Sequence, residues 1–142
     1  MTAAWAFVDT NVLLYSIDDT EPHKQGIAAA LLEQLGRSNT GVLSTQVLLE
    51  FAFNLTRKFK LSQTTAERMT TAYTAWQVVD SDVPLVLLGL ARPAQNQVSI
   101  WDAMVIEAAL RCGAKTLYTE DLTHGQDFDG VRVVNPFLHL NP

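Results

Sequence analysis

Apolar residues fall into short blocks along the chain, separated by longer stretches in which they recur every three or four positions. The blocks at residues 5–8, 42–44, 77–79, 116–118 and 131–134 do not alternate polar with apolar, the pattern of strands covered on both faces. Residues 22–35 begin with Pro22 and stop at Gly36, the usual asymmetry of a helix. Residues 45–59 carry Val47, Leu48, Phe51 and Leu55 at helical spacing. Ser62 opens a third helix with Glu67 and Arg68 on its wet face, and residues 83–91 make a fourth, more buried one. Ser99 opens a fifth, ending at Cys112 and Gly113, where glycine suits a C-terminal cap. Strands alternating with helices predict an α/β fold, a central and mostly parallel sheet of about five short strands with helices on both faces. No repeat, linker or composition shift divides the chain, so residues 1–142 read as one domain.

This topology decides where four acids fall. In such sheets ligands bind at the carboxyl edge of the strands. Asp9 follows the first strand directly, and Glu50 lies about one turn into the helix that leaves the second. The helix holding Asp102 in its first turn runs back into strand 116–118, so its start returns to the carboxyl edge. Asp121 comes just after that strand ends. Carboxylates crowded together raise one another's pKa or demand a cation. Oxygen ligands without His or Cys suit Mg²⁺ or Mn²⁺ rather than zinc. Such ions polarise a phosphodiester and lower the pKa of an attacking water.

Taken singly, each acid has a simpler reading. Asp9 could cap the next helix, and Asp102 could close a capping box with Ser99. Glu50 could sit on an exposed helical face and Asp121 in a turn. Convergence of all four favours the shared site, and "QVLLEFAF" and "SIWDAMVIEAAL" place Glu50 and Asp102 among residues that otherwise read as core.

Composition changes this picture little. With 142 residues, 48% of them hydrophobic, the chain can bury roughly two-thirds of its unfolded surface. The single Cys112 points to a reducing, cytoplasmic location. No signal peptide is expected, because Asp9 interrupts the first apolar stretch and no basic region precedes it. The run at residues 83–91 is far short of the ~20 residues that span a bilayer, so no membrane association is expected. A net charge of −5 is unusual for a nucleic-acid binder, but one divalent ion would bring it to −3 and two to −1.

The stretches "FVDTNVLLY", "LSTQVLLEF", "IWDAMVIEAAL" and "LYTEDLTHG", with "VRVVNPF" as a last strand, resemble a PIN domain. That is the metal-dependent ribonuclease fold that includes VapC-type toxins of bacterial toxin–antitoxin pairs. The resemblance runs from end to end of the chain. It implies that Asp9, Glu50, Asp102 and Asp121 are the catalytic, metal-binding acids, with Asp121 rather than Glu120 matching the fourth. It also implies that Thr119 is the hydroxyl residue two before that acid and that Asn11 is a polar neighbour of the first, both candidate substrate contacts. The activity implied is Mg²⁺- or Mn²⁺-dependent hydrolysis of RNA, by a homodimer often blocked by a small antitoxin protein. The other reading is a catalytically silent module of the same fold that binds RNA or a protein.

Further candidates are weaker. Arg92, Gln95 and Asn96 precede the Asp102 helix at the right edge and are candidate phosphate contacts, and His124 is a candidate substrate contact near Asp121. Arg57, Lys58 and Lys60 read as dipole partners at a helix end far from the rim. Trp5, Trp76 and Trp101 read as core aromatics, and Asp127 and Asp129 as loop acids. A receiver-type phosphoacceptor would need an acidic pair after the first strand and a Lys after the last. Haloacid-dehalogenase chemistry would need Asp-x-Asp where this chain has Asp-Thr-Asn. No Gly-rich nucleotide loop is present.

Overall fold

A computed structural model describes residues 4–92 and 97–138. The strands are β1 (Ala6–Val8), β2 (Gly41–Ser44), β3 (Gln77–Val79), β4 (Thr116–Tyr118), β5 (Asp127–Phe128) and β6 (Val131–Val134). The helices are α1 (Thr10–Tyr15), α2 (Pro22–Ser38), α3 (Thr45–Arg57), α4 (Gln63–Ala72), α5 (Val83–Ala91) and α6 (Ile100–Arg111). The strands form one sheet in the order β3-β2-β1-β4-β6-β5. Every neighbouring pair is parallel except β5 with β6. Phe7, Val8, Val42, Leu43, Leu117 and Val133 are buried along the inner strands, which is why their sequence shows no alternation. Around the sheet, α1 packs against α2 and α3, α3 against α4, and α5 against α6. No helix among the described residues is long and apolar enough to cross a membrane.

The sixth strand was not expected. Residues Asp127 and Phe128 pair with Arg132 and Val131 across a two-residue turn, Asp129-Gly130, with φ of 54° and 103°. Positive φ at both positions is the hairpin geometry that Asp-Gly favours. The strand is two residues long, too short to show a period. Asp127 is therefore a strand residue and Asp129 a turn residue.

Three helix readings also change. Helix α2 continues through Gly36 to Ser38 and ends at Asn39, whose φ of 57° is left-handed. Asn tolerates that conformation through its short polar side chain, so the cap lies three residues beyond the glycine. Helix α3 ends at Arg57, two residues before the predicted end. Helix α5 is not buried: Leu85 and Gly89 face inward, while Val83, Leu87, Leu88 and Leu90 are exposed. A Cβ at Gly89 would lie 2.5 Å from Met104 Sδ, so the missing side chain is what allows α5 to approach α6 so closely. Only Trp76 of the three tryptophans packs on the core, where a Cβ at Gly41 would strike its ring at 2.2 Å. Trp5 and Trp101 are exposed, Trp101 at 65%.

Helix starts follow the sequence. Ser62 Oγ accepts from the Thr65 amide and Ser99 Oγ from the Asp102 amide, satisfying N–H groups that have no partner within the helix. Ser44 caps α3 in the same way. Strands β1, β2 and β4 thus deliver α1, α3 and the 119–121 segment to one edge of the sheet.

Candidate active site

Asp9 stands where β1 ends and α1 begins, and is 6% exposed. Its Oδ1 accepts the Thr10 amide at 2.7 Å, so the helix-cap reading holds. Its Oδ2 accepts the Thr119 hydroxyl at 2.8 Å and Asn11 Nδ2 at 3.3 Å. Asn11 Nδ2 also reaches Thr119 Oγ1 and Asp121 Oδ2, each at 3.1 Å. The Asp121 amide donates to Thr119 Oγ1 at 3.1 Å, and the Glu120 amide to Asn11 Oδ1 at 3.4 Å. Thr119 is fully buried, so its hydroxyl and the Asn11 amide join the first and fourth acids in one network.

Asp102 enters from the first turn of α6. One carboxylate oxygen from each of Asp9, Asp102 and Asp121 lies within 4.8 Å of the others. Burial pushes the Asp9 carboxyl up to about 7, against hydrogen bonds from Thr119 and Thr10, with the charges of Asp121 and Glu50 adding to the rise. Burial also raises Asp102, opposed by its bond from Ser99 and aided by the Asp121 charge. A cation among these oxygens would restore the charged forms. The donors are carboxylate oxygens alone, which fits a hard divalent ion such as magnesium or manganese.

Glu50 stands outside this set of three. Its Oε1 accepts Gln46 Nε2 at 2.7 Å, and the same nitrogen reaches the Trp101 carbonyl at 3.2 Å. It remains near enough for its charge to act on Asp9. Gln46 was not anticipated, although a Gln four residues before a Glu on a helix is a readable pair.

Glu120 turns away from the cluster. It accepts the Tyr15 hydroxyl at 2.7 Å and pairs with Lys24 at 3.0 Å. The Lys24 ammonium sits 4.6 Å from the Tyr15 ring centroid and 5.5 Å from that of Phe137. This clasp ties the 119–121 segment to α1 and α2 and directs Asp121, not Glu120, to the other acids. Tyr15 and Lys24 carried no sequence signal, because their partner is 105 and 96 residues away.

The weaker candidates disperse. Arg92 is buried and paired with Glu107 at 2.8 Å and with Asp129 at 3.2 Å, joining α5, α6 and the β5–β6 turn rather than standing free for a phosphate. Exposed His124 accepts the Asn135 amide on Nδ1 at 3.0 Å and thereby fixes the loop after β4. Gln95 and Asn96 lie outside the described residues. Arg57 and Lys58 lie over the rings of Phe53 and Phe59. Lys58 is nearer the rim than expected, since it lines a cavity of about 170 Å³ with Asn11, Tyr15, Asp18 and Glu120.

A family model for the PIN domain matches residues 6–126. The chain belongs to the PIN domain family. No curated protein sequence matches it. Among solved structures, this PIN domain is similar in fold to a Klebsiella pneumoniae toxin–antitoxin complex at a TM-score of 0.67 and 19% identity, covering 92% of this chain and 97% of that one. It is also similar to DNA-bound VapBC from Salmonella typhimurium, at 0.65 and 17%, covering 92% and 97%. Mycobacterium tuberculosis VapC20, described as a toxin that cleaves the sarcin–ricin loop, aligns at 0.63 and 19%, covering 82% and 91%.

Proposed function

We propose that this PIN domain is a Mg²⁺- or Mn²⁺-dependent endoribonuclease and the toxin of a type II toxin–antitoxin pair, working in the cytoplasm. The observation that carries this reading is the cluster of Asp9, Asp102 and Asp121, whose buried member Asp9 has its carboxyl pushed up to about 7 when no cation favours the charged form. These three would hold the metal, which when bound lowers the pKa of a water and offsets charge on the phosphodiester. Thr119 and Asn11 keep the Asp9 and Asp121 oxygens aimed at one point. Glu50 is the fourth acid of the site. Gln46 donates to its Oε1 and steadies the side chain where its charge acts on Asp9. Three convergent backbone segments fix this geometry before substrate arrives, which is where positioning contributes to rate.

The toxin assignment and a small antitoxin partner are supported by likeness to the toxin–antitoxin complexes above. Homodimerisation, a further part of the proposal, has a surface to use: Leu87, Leu88 and Leu90 on α5 and Leu49 and Phe53 on α3 are all exposed.

Purified protein is expected to cut single-stranded or loop RNA with Mg²⁺ or Mn²⁺ and to stop on addition of EDTA. Asp9→Asn and Asp102→Asn should be inactive yet folded. Cleavage persisting in either rigorously purified variant would refute the proposal. A folded wild type that binds Mn²⁺ but cuts no RNA would instead assign the chain to binding.

A further inference from the structure

A groove of about 580 Å³ opens directly from Asp102 and Asp121. Its walls are Gln97, Val98 and Ser99 on one side and Leu122, Thr123 and Gln126 on the other. The volume lies within the roughly 300–1,000 Å³ usual for ligand sites. Among the described residues no Lys, Arg or His lines it, so beyond the two acids they offer nothing to a phosphate.

The second wall is rigid. The Gly125 amide donates to the Val133 carbonyl at 2.8 Å, and the Val133 amide to the Gln126 carbonyl at 2.8 Å. The Gln126 amide closes a turn on the Thr123 carbonyl at 3.1 Å, and His124 holds Asn135. The backbone is thereby tied to β6, while the side chains of Thr123 and Gln126 make no hydrogen bond to any described residue. Gln97 faces them from a left-handed backbone, φ 56°, and its amide is likewise uncommitted among the described residues. A non-glycine residue adopts that conformation only at a cost, so the backbone at Gln97 is shaped by more than local preference.

Fixed backbone, uncommitted amides and a hydroxyl, apolar Val98 and Leu122 between them, and no cation make a surface suited to a flat, neutral heterocycle. Glutamine amides pair with base edges in two places at once, and single-stranded RNA leaves those edges open. We infer that this groove is a base-recognition subsite, in which Gln97, Thr123 and Gln126 read the nucleobase flanking the phosphodiester held at the acids. The inference rests on the ribonuclease reading above and names what that site selects.

The test uses an RNA pool with a randomised single-stranded segment, cut by the full chain with Mn²⁺ and sequenced at the new ends. The wild type should show a base preference at one position beside the cut. Gln97→Ala, Thr123→Ala and Gln126→Ala should each relax it, about tenfold for a lost bidentate glutamine. Their Mn²⁺ affinity by calorimetry should stay within about twofold of wild type, since none supplies a metal oxygen. An unchanged preference in all three folded variants overturns the inference, as does weakened Mn²⁺ binding that tracks the loss of preference. If the wild type cuts no RNA, the ribonuclease reading fails separately. Retention of the same pool on wild type in Mn²⁺ then decides the groove: base-selective retention lost in Gln126→Ala supports it, and unselective or absent retention overturns it.

Discussion

Asp9 concentrates the physics of the site in one side chain. Its folded carboxyl is raised from 3.8 to about 7, chiefly by burial. Below about pH 4 both folded and unfolded chains hold the proton, and the stability Asp9 contributes is fully present. As pH rises the unfolded chain gives up its proton first, so that stability falls and is lost once pH passes about 7. Metal-free protein should therefore melt at a higher temperature near pH 5 than near pH 8, to the extent Asp9 controls the profile. Asp9→Asn should flatten the difference and raise the melting temperature at pH 8. Mn²⁺ should stabilise wild type more at pH 8 than at pH 5. Differential scanning calorimetry at the two pH values checks all three, and an Asp9→Asn melting profile identical to wild type would contradict them. The identity of this residue was legible from an apolar run ending in a carboxylate. Its degree of burial was not, because that depends on Thr119, 110 residues away, closing over it together with its neighbour Asn11.

Among the elements, the clasp of α1 and α2 on the 119–121 segment makes a separate prediction. Lys24→Met and Tyr15→Phe release Glu120, and a freed neighbouring carboxylate misplaces Asp121. Removing groups that orient metal ligands typically weakens metal binding 10–100-fold, so a loss of about tenfold is expected in Mn²⁺ titrations, with Lys24→Arg closer to wild type. Unaltered affinity in Lys24→Met would show the clasp to be structural only. The Arg92–Glu107 pair predicts differently, since it joins α5 to α6 away from the three clustered acids. Both side chains are about nine-tenths buried, and Arg92→Leu should cost about 3–5 kcal/mol by stranding Glu107. The double variant with Glu107→Leu should recover much of that in chemical denaturation. Asp129 is largely exposed and adds little. Strand positions and the helix starts at Ser62 and Ser99 were readable because short apolar blocks and an N-cap Ser are local signals. The exposure of α5 was not, because an all-apolar helix looks the same whether it meets a core or an uncovered face. The Arg92 partnership was equally hidden, since a basic residue beside a helix signals nothing about an acid fifteen positions on.

For the molecule as a whole, the order of strands and helices accounts for most of the site. Parallel strands bring Asp9 and Asp121 to one edge, and the antiparallel return of α6 brings Asp102 there, so three acids could be placed by topology alone. Glu50 was placed at the right rim but not set back from the triad, because its position depends on the bond from Gln46. The uncovered apolar face of α5 predicts self-association. Light scattering coupled to size exclusion should give a mass near twice 15.7 kDa, falling toward one copy in Leu87→Glu with Leu90→Glu. A monomeric wild type would contradict it. The central claim is that folding gathers Asp9, Asp102 and Asp121 so closely that a divalent cation completes them. Isothermal titration of metal-free protein with MnCl₂ tests it most directly. Saturable uptake by wild type, lost in both Asp9→Asn and Asp102→Asn while they remain folded, is the expected result. No uptake by folded wild type, or equal uptake by the variants, would contradict the account.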